Sequence, residues 1–191
     1  MRYAKIEEYE VSNGHLGGQS LYVQGCRFRC SHCFNPETWD FNGGKEWTPE
    51  VEDKFIELAS RPYIKRISLL GGECLADENL DGVLNLVNRI RLLMPEKAIW
   101  LYTGYRFEEI QIGTRKHWFI NYLFPDDDGF LNQCKIDDKR AEIVEQVDVL
   151  IDGKYIDSQK DITLKFRGSK NQRLIDVKKS LKQNKIILWE S

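Results

Sequence analysis

Three cysteines crowd into eight residues of this chain. Cys26, Cys30 and Cys33 stand at C-x3-C-x2-C spacing within Gly25-Cys26-Arg27-Phe28-Arg29-Cys30-Ser31-His32-Cys33-Phe34. Such a stretch folds as a loop that wraps three thiolates around one metal centre, and the rest of the chain has to present that loop. A [4Fe-4S] cluster is normally held by four cysteines. Three close together point to a cluster with one iron left open, where a substrate or cofactor can bind. Zinc knots build on pairs, C-x2-C with a second pair of ligands further along. The remaining cysteines, Cys74 and Cys134, are both single, which favours the cluster over zinc. An odd count of 5 cysteines, most of them in one loop, also fits metal ligation in a reducing compartment better than a disulfide framework.

The loop hangs from a strand. Ser20 to Gln24 is a short apolar run that Gly25 ends, and a short strand near Tyr3–Tyr9, then a loop, precedes it. Thr48-Pro49 reads as an N-cap with proline at the first helical position. Val51, Phe55, Leu58 and Ala59 then recur at helical spacing up to Ser60. Arg66 to Leu70 reads as a buried strand, followed at once by Gly71-Gly72-Glu73. A helix is expected from about Asn79 to Leu93, closed by Pro95, and a strand from Lys97 to Thr103, closed by Gly104. A short helix around Phe107–Ile110 follows. Residues 111 to 137 lose all period and read as an irregular insertion. Asp138–Gln146 is expected to be helical and Val147–Ile151 a fourth parallel strand. The tail is read as a short helix near Leu174–Leu181 and a last strand, Lys185–Trp189.

Strands alternating with helices imply an α/β fold with a parallel sheet and right-handed crossovers. Ligands of such folds bind at the C-terminal ends of the strands. The cysteine loop, Gly71-Gly72-Glu73, Tyr102-Thr103-Gly104 and Asp152-Gly153-Lys154 all fall there, so they are expected on one face of the sheet. The glycines let backbone come close to a ligand.

Length and charge bound the rest. A chain of 191 residues suffices for one domain with its own core. A net charge of -2 gives no argument for nucleic acid or membrane partners. No apolar run is long enough to span a bilayer, and Met1-Arg2-Tyr3-Ala4-Lys5 does not lead into a signal-peptide core, so a cytoplasmic location is expected.

The cysteine loop together with Gly71-Gly72-Glu73 resembles the radical S-adenosylmethionine (SAM) superfamily. Four further segments are similar to the activating proteins of anaerobic ribonucleoside-triphosphate reductase. They are Cys33-Phe34-Asn35-Pro36-Glu37-Thr38-Trp39, Trp100-Leu101-Tyr102-Thr103-Gly104-Tyr105, Val149-Leu150-Ile151-Asp152-Gly153-Lys154-Tyr155 and Arg167-Gly168-Ser169-Lys170-Asn171-Gln172-Arg173. The resemblance implies a partial β/α barrel and a [4Fe-4S] cluster on Cys26, Cys30 and Cys33. It implies SAM chelated at the fourth iron and cleaved by an electron from the cluster, and a deoxyadenosyl radical that takes hydrogen from a glycine of the reductase. SAM contacts are implied at His32, Cys33, Phe34, Gly71, Gly72 and Glu73, with Thr103, Asp152 and Lys154 for its carboxylate and ribose. An electron donor such as flavodoxin is implied as well.

Two features depart from the family pattern. Cys74 replaces the proline usual after the Gly-Gly-acid step, and reads as a small buried side chain. The insertion around Asp126-Asp127-Asp128 has no counterpart and reads as a surface loop. From Lys165 to Lys185 the chain is basic, with Asp176 the only acid, which suits either a solvated face or an acidic partner. Two rival functions share the cysteine loop: a radical SAM enzyme for a small molecule, and a metal-binding interaction module without catalysis.

Overall fold

The computed structural model describes residues 1–110 and 128–190, with backbone alone at 128–131. Its strands are β1 (Arg2–Glu10), β2 (Gly18–Val23), β3 (Lys45–Glu46), β4 (Arg66–Gly71), β5 (Ala98–Tyr102), β6 (Val149–Asp152) and β7 (Arg173–Asp176). They form one seven-stranded sheet in the order β3-β1-β2-β4-β5-β6-β7. The expected parallel core is present: β2, β4, β5 and β6 pair in parallel, from Gly18 opposite Arg66 to Tyr102 opposite Ile151. The sheet is nonetheless mixed. β1 runs antiparallel to β2 and to β3, and β7 antiparallel to β6. The short link between β1 and β2 allows a hairpin-like return, whereas parallel pairing needs a long crossover.

The helices are α1 (Pro49–Ala59), α2 (Leu80–Leu93), α3 (Asp128–Gln146) and α4 (Val177–Gln183), with a helical turn at 107–110. α1 starts as its sequence demands: the Thr48 side chain accepts from Val51 N, Pro49 opens the first turn, and Phe55, Ile56, Leu58 and Ala59 are buried. α3 begins well before the expected Asp138, so 128–137 is helix rather than irregular chain. Cys134 and Ala141, both buried, mark its inner face at two-turn spacing. Ile143 and Val144 extend the buried face, but between Asn132 and Arg140 only Cys134 and Ile136 are apolar, which is why the period is faint there. Asp126 and Asp127 lie outside the described residues. The tail also differs. Leu174 belongs to β7, and α4 starts after Asp176, whose side chain accepts from Lys179 N at 3.0 Å. The expected last strand reduces to one bridge, Leu188 against Ile175.

Alternation along the strands gives the sheet two unlike faces. Leu21, Val23, Ile67, Leu69, Ile99, Leu101, Leu150 and Ile175 pack in one core with Phe55, Leu80, Val83, Val87, Ile143, Val144 and Val177 of the helices. The opposite face carries Ser20, Tyr22, Arg66 and Ser68 on one side, and Trp100, Val149, Ile151 and Leu174 on the other, the latter packed with Phe166 and Trp189. At its polar end Arg66 is fully buried and paired with Glu10 at 2.8 Å. No helix among the described residues is long and apolar enough to cross a membrane.

Candidate metal centre

The cysteine loop leaves β2 through Gln24 and Gly25. Gly25 sits at φ +98, and a Cβ there would meet the Phe41 ring at 2.1 Å, so only glycine fits. Gly25 N donates to Thr38 O at 2.7 Å and Cys26 N to Trp39 O at 3.1 Å, which closes the loop on itself. The buried Gln24 amide donates to Glu37 O at 3.0 Å and Asp40 O at 2.7 Å and fixes the far limb. Within the loop Arg29 and His32 adopt left-handed backbone, at φ 44 and 55, and bend it around the thiols.

Cys26, Cys30 and Cys33 are free and half-buried, and all three line one cavity of about 530 Å³. One sulfur has a direct amide donor: Asn35 N donates to Cys33 Sγ at 3.4 Å. Burial pushes the Cys26 thiol up to about 11, with Glu73 and Cys30 adding to the effect. Burial, then Cys33, raises Cys30 as well. Uncharged thiols are thus favoured until a cation replaces their protons. Three soft sulfurs around one cavity, one of them with an N–H donor, are the ligand chemistry of an iron–sulfur cluster. Among the described residues no three His, Cys, Asp or Glu side chains converge as they would around a single ion. A four-iron cube spreads its ligands wider than one ion does, so this spacing does not bear on it.

The strand ends expected to converge do so. Gly71, Gly72, Glu73, Thr103, Gly104 and Lys154 line the same cavity as the cysteines, together with Phe34. β4 continues past its last residue by pairing with the cysteine loop: Gly72 N donates to Val23 O at 2.9 Å, and Glu73 N to Gly25 O at 2.8 Å. Gly72 fits because a Cβ would lie 2.5 Å from Gly25 O. The Glu73 carboxylate is buried and accepts from Leu75 N, Thr103 Oγ1 and Gly104 N at 2.9, 2.7 and 2.8 Å. It therefore joins the ends of β4 and β5, and burial raises its pKa despite these bonds. Lys154 sets its ammonium 4.5 Å from the Phe28 ring centroid.

Two expected contacts face elsewhere. Asp152 is fully buried and holds scaffold partners: it accepts from Phe107 N at 2.9 Å and pairs with Arg173, which also grips Glu108. His32 is exposed, and its Nδ1 lies 2.9 Å from Asp157. Neither lines the cavity.

The comparisons with known proteins agree with this construction. The family model of a 4Fe-4S single cluster domain matches residues 13–175. A Vibrio cholerae protein named anaerobic ribonucleoside-triphosphate reductase-activating protein is 35% identical over 174 residues, covering 90% of this chain and 96% of its own. The chain belongs to that family. Proteins of the same name from Escherichia coli K12 and from enterobacteria phage T4 are each 33% identical, over 90% and 91% of this chain and 96% and 93% of their own. The domain matched in this family includes the cysteine loop and every strand end described above.

Several residues of the site escape sequence reasoning. Asn79, expected only as the start of a helix, uses its buried amide to donate to Gln24 O at 3.0 Å and Glu73 O at 2.9 Å, bridging the two strand ends. An Asn before a helix reads as a cap, so nothing marked it for this task. Tyr155, just after β6, lines the cavity as well. Its ring packs on Phe34 at 5.1 Å, bringing the segment after β6 against the cysteine loop. Asn13 and Tyr22, also on the cavity wall, are joined at 3.0 Å.

Proposed function

We propose that this chain is a radical SAM activase. In this reading Cys26, Cys30 and Cys33 hold a [4Fe-4S] cluster, SAM fills the adjoining cavity, and the protein substrate is the glycyl loop of an anaerobic ribonucleoside-triphosphate reductase. The observation that carries it is the placement of three thiols and four strand ends around one cavity, in a chain whose relatives are named for activating that reductase. When bound, the cluster supplies an electron and SAM supplies the fragment that removes one hydrogen atom from glycine.

The chain's own residues bind, orient and exclude water. The backbone of His32, Cys33 and Phe34 and the edge of Gly71-Gly72 offer hydrogen-bonding groups beside the sulfurs. Glu73 acts by holding Thr103 and Gly104 in place, so that the Thr103 backbone and Lys154 face the ligand. Asp152 acts behind Lys154, fixing the end of β6 through Arg173. The sheet, with a largely apolar helix-covered face and a second face around the cavity, is read as the partial barrel of this superfamily. A one-electron donor of the flavodoxin kind and a cytoplasmic location complete the proposal.

The test is anaerobic. Protein reconstituted with iron and sulfide is reduced and given SAM, and 5'-deoxyadenosine is quantified with and without the reductase. The expected result is deoxyadenosine together with a glycyl-radical EPR doublet that requires the reductase. Deoxyadenosine without a radical on any reductase would assign a small-molecule substrate instead. Absence of both iron–sulfur absorption and SAM cleavage would remove the radical reading.

A further inference from the structure

Arginine in this protein almost always has an acidic partner. Among the described residues, Arg2, Arg61, Arg66, Arg89, Arg91, Arg106, Arg140 and Arg173 are buried or half-buried, and each pairs with a carboxylate. Arg167 is the exception. It is half-buried, lines the cysteine cavity, and forms no ion pair among the described residues. Its Nη1 donates to Gln172 O at 3.1 Å, and its buried Nε has no partner.

The turn that carries Arg167 is braced. The Gln172 side chain accepts from Gly168 N at 3.0 Å and Ser169 N at 3.2 Å, and donates to Gly153 O at 3.1 Å, tying the turn to the end of β6. Gly168 packs so closely under Phe34 and Tyr155 that a Cβ would meet their rings at 2.6 and 3.1 Å. The guanidinium is thereby held next to the segment that carries Cys33. A planar fork of donors, pre-positioned and lacking a carboxylate, suits a bidentate oxyanion. Glu73, the cavity's buried acid, is committed to Leu75, Thr103 and Gly104. Asp161 is drawn to Lys170 and Thr163.

We infer that Arg167 anchors a carboxylate that enters the cysteine cavity with its ligand. The inference rests on the proposed function, which offers two sources: the amino-acid carboxylate of SAM, or a carboxylate on the reductase segment. Arg167 is a binding residue here, and Gln172 positions it.

The experiment compares wild type, Arg167→Gln and Arg167→Lys after anaerobic reconstitution. Dissociation constants are measured for SAM, for decarboxylated SAM and for the reductase, and thermal midpoints verify folding. If SAM is the source, wild type binds decarboxylated SAM at least about tenfold more weakly than SAM, and Arg167→Gln weakens SAM by a similar factor without weakening the decarboxylated form. Arg167→Lys, a point charge without the fork, falls between. If the reductase is the source, Arg167→Gln leaves both small ligands unchanged and weakens the protein complex by about the same factor. Binding of all three ligands as in wild type overturns the inference alone, as does equal weakening of SAM and its decarboxylated form. Wild type that binds neither SAM nor reductase overturns the proposed function, and the anchor with it.

Discussion

Substituting Gly72 by alanine tests whether β4 clamps the cysteine loop through backbone alone. The new Cβ lands 2.5 Å from Gly25 O and 3.0 Å from Val23 O, and both atoms are main chain, so no side-chain rotation relieves the contact. A carbon–oxygen contact needs about 3.3 Å, so the strands must part by roughly 0.8 Å. That displacement stretches Gly72 N to Val23 O, now 2.9 Å, and Glu73 N to Gly25 O, now 2.8 Å, beyond hydrogen-bonding range. Two lost bonds cost about 1–3 kcal/mol, and overpacking adds about 1 kcal/mol or more. The sum, about 2–4 kcal/mol, corresponds to a drop of roughly 5–15 °C in the thermal midpoint of a domain this size. Iron and sulfide per chain after reconstitution should fall in parallel, because the loop's anchor has moved. Gly82→Ala is the control. Its Cβ would lie 2.6 Å from Met1 Cβ, so it is crowded too, but neither Val23 nor Gly25 is among its close neighbours; it should lose part of the gain of up to about 1 kcal/mol that alanine has over glycine in a helix and leave iron uptake unchanged. A Gly72→Ala protein that melts within about 2 °C of wild type and takes up the same iron would refute the clamp.

Three further outcomes follow from the same geometry. Cys74 is fully buried in the main core and does not line the cysteine cavity, so Cys74→Ala should cost about 1 kcal/mol in urea unfolding and leave iron content unchanged, whereas Cys30→Ala should lose the cluster's absorption. Asp152→Asn strips a buried charge from Arg173, which is part-exposed and keeps Glu108, so a loss of about 2–3 kcal/mol is expected by urea titration; full stability with lost SAM binding would instead make Asp152 a ligand contact. Glu10 is held below its usual pKa: burial opposes this, but hydrogen bonds from Ser20 and Asn13 and the charge of Arg66 outweigh it. The unfolded chain then takes up the proton first, so this part of the stability is complete above about pH 5 and fades as pH falls through 4 and below. Glu10→Gln should be less stable at pH 7 and show a flatter acid limb in chemical denaturation.

The sequence exposed what depends on local pattern. Ile67, Leu69, Ile99 and Leu101 are apolar at alternate positions because they meet helices, and Thr48-Pro49 caps α1 by its own side chain and ring. The convergence of the strand ends was equally readable, since parallel strands leave their C-terminal ends on one side of the sheet. What escaped depends on partners distant in sequence. Asp152 is read as a ligand contact until Arg173 is seen beside it, and the two meet only because β7 reverses direction against β6. The early start of α3 was hidden because only Cys134 and Ile136 are apolar between Asn132 and Arg140, too few to set a helical period. An amide donor such as that of Asn35 carries no residue code, so only the folded backbone reveals it.

The cysteine cavity is finished by groups made at very different moments of synthesis. The amide of Asn35 leaves the ribosome with the thiol it serves, but Tyr155, whose ring packs on Phe34, comes much later. At bacterial or eukaryotic elongation rates the interval is roughly 6–24 s. During that window the nascent thiols lack the wall that Tyr155 and Gly168 build over Phe34. Iron delivery is therefore best timed after the segment up to Gln172 has emerged, and a ribosome stalled before it would leave a reactive, half-walled loop exposed to oxidants.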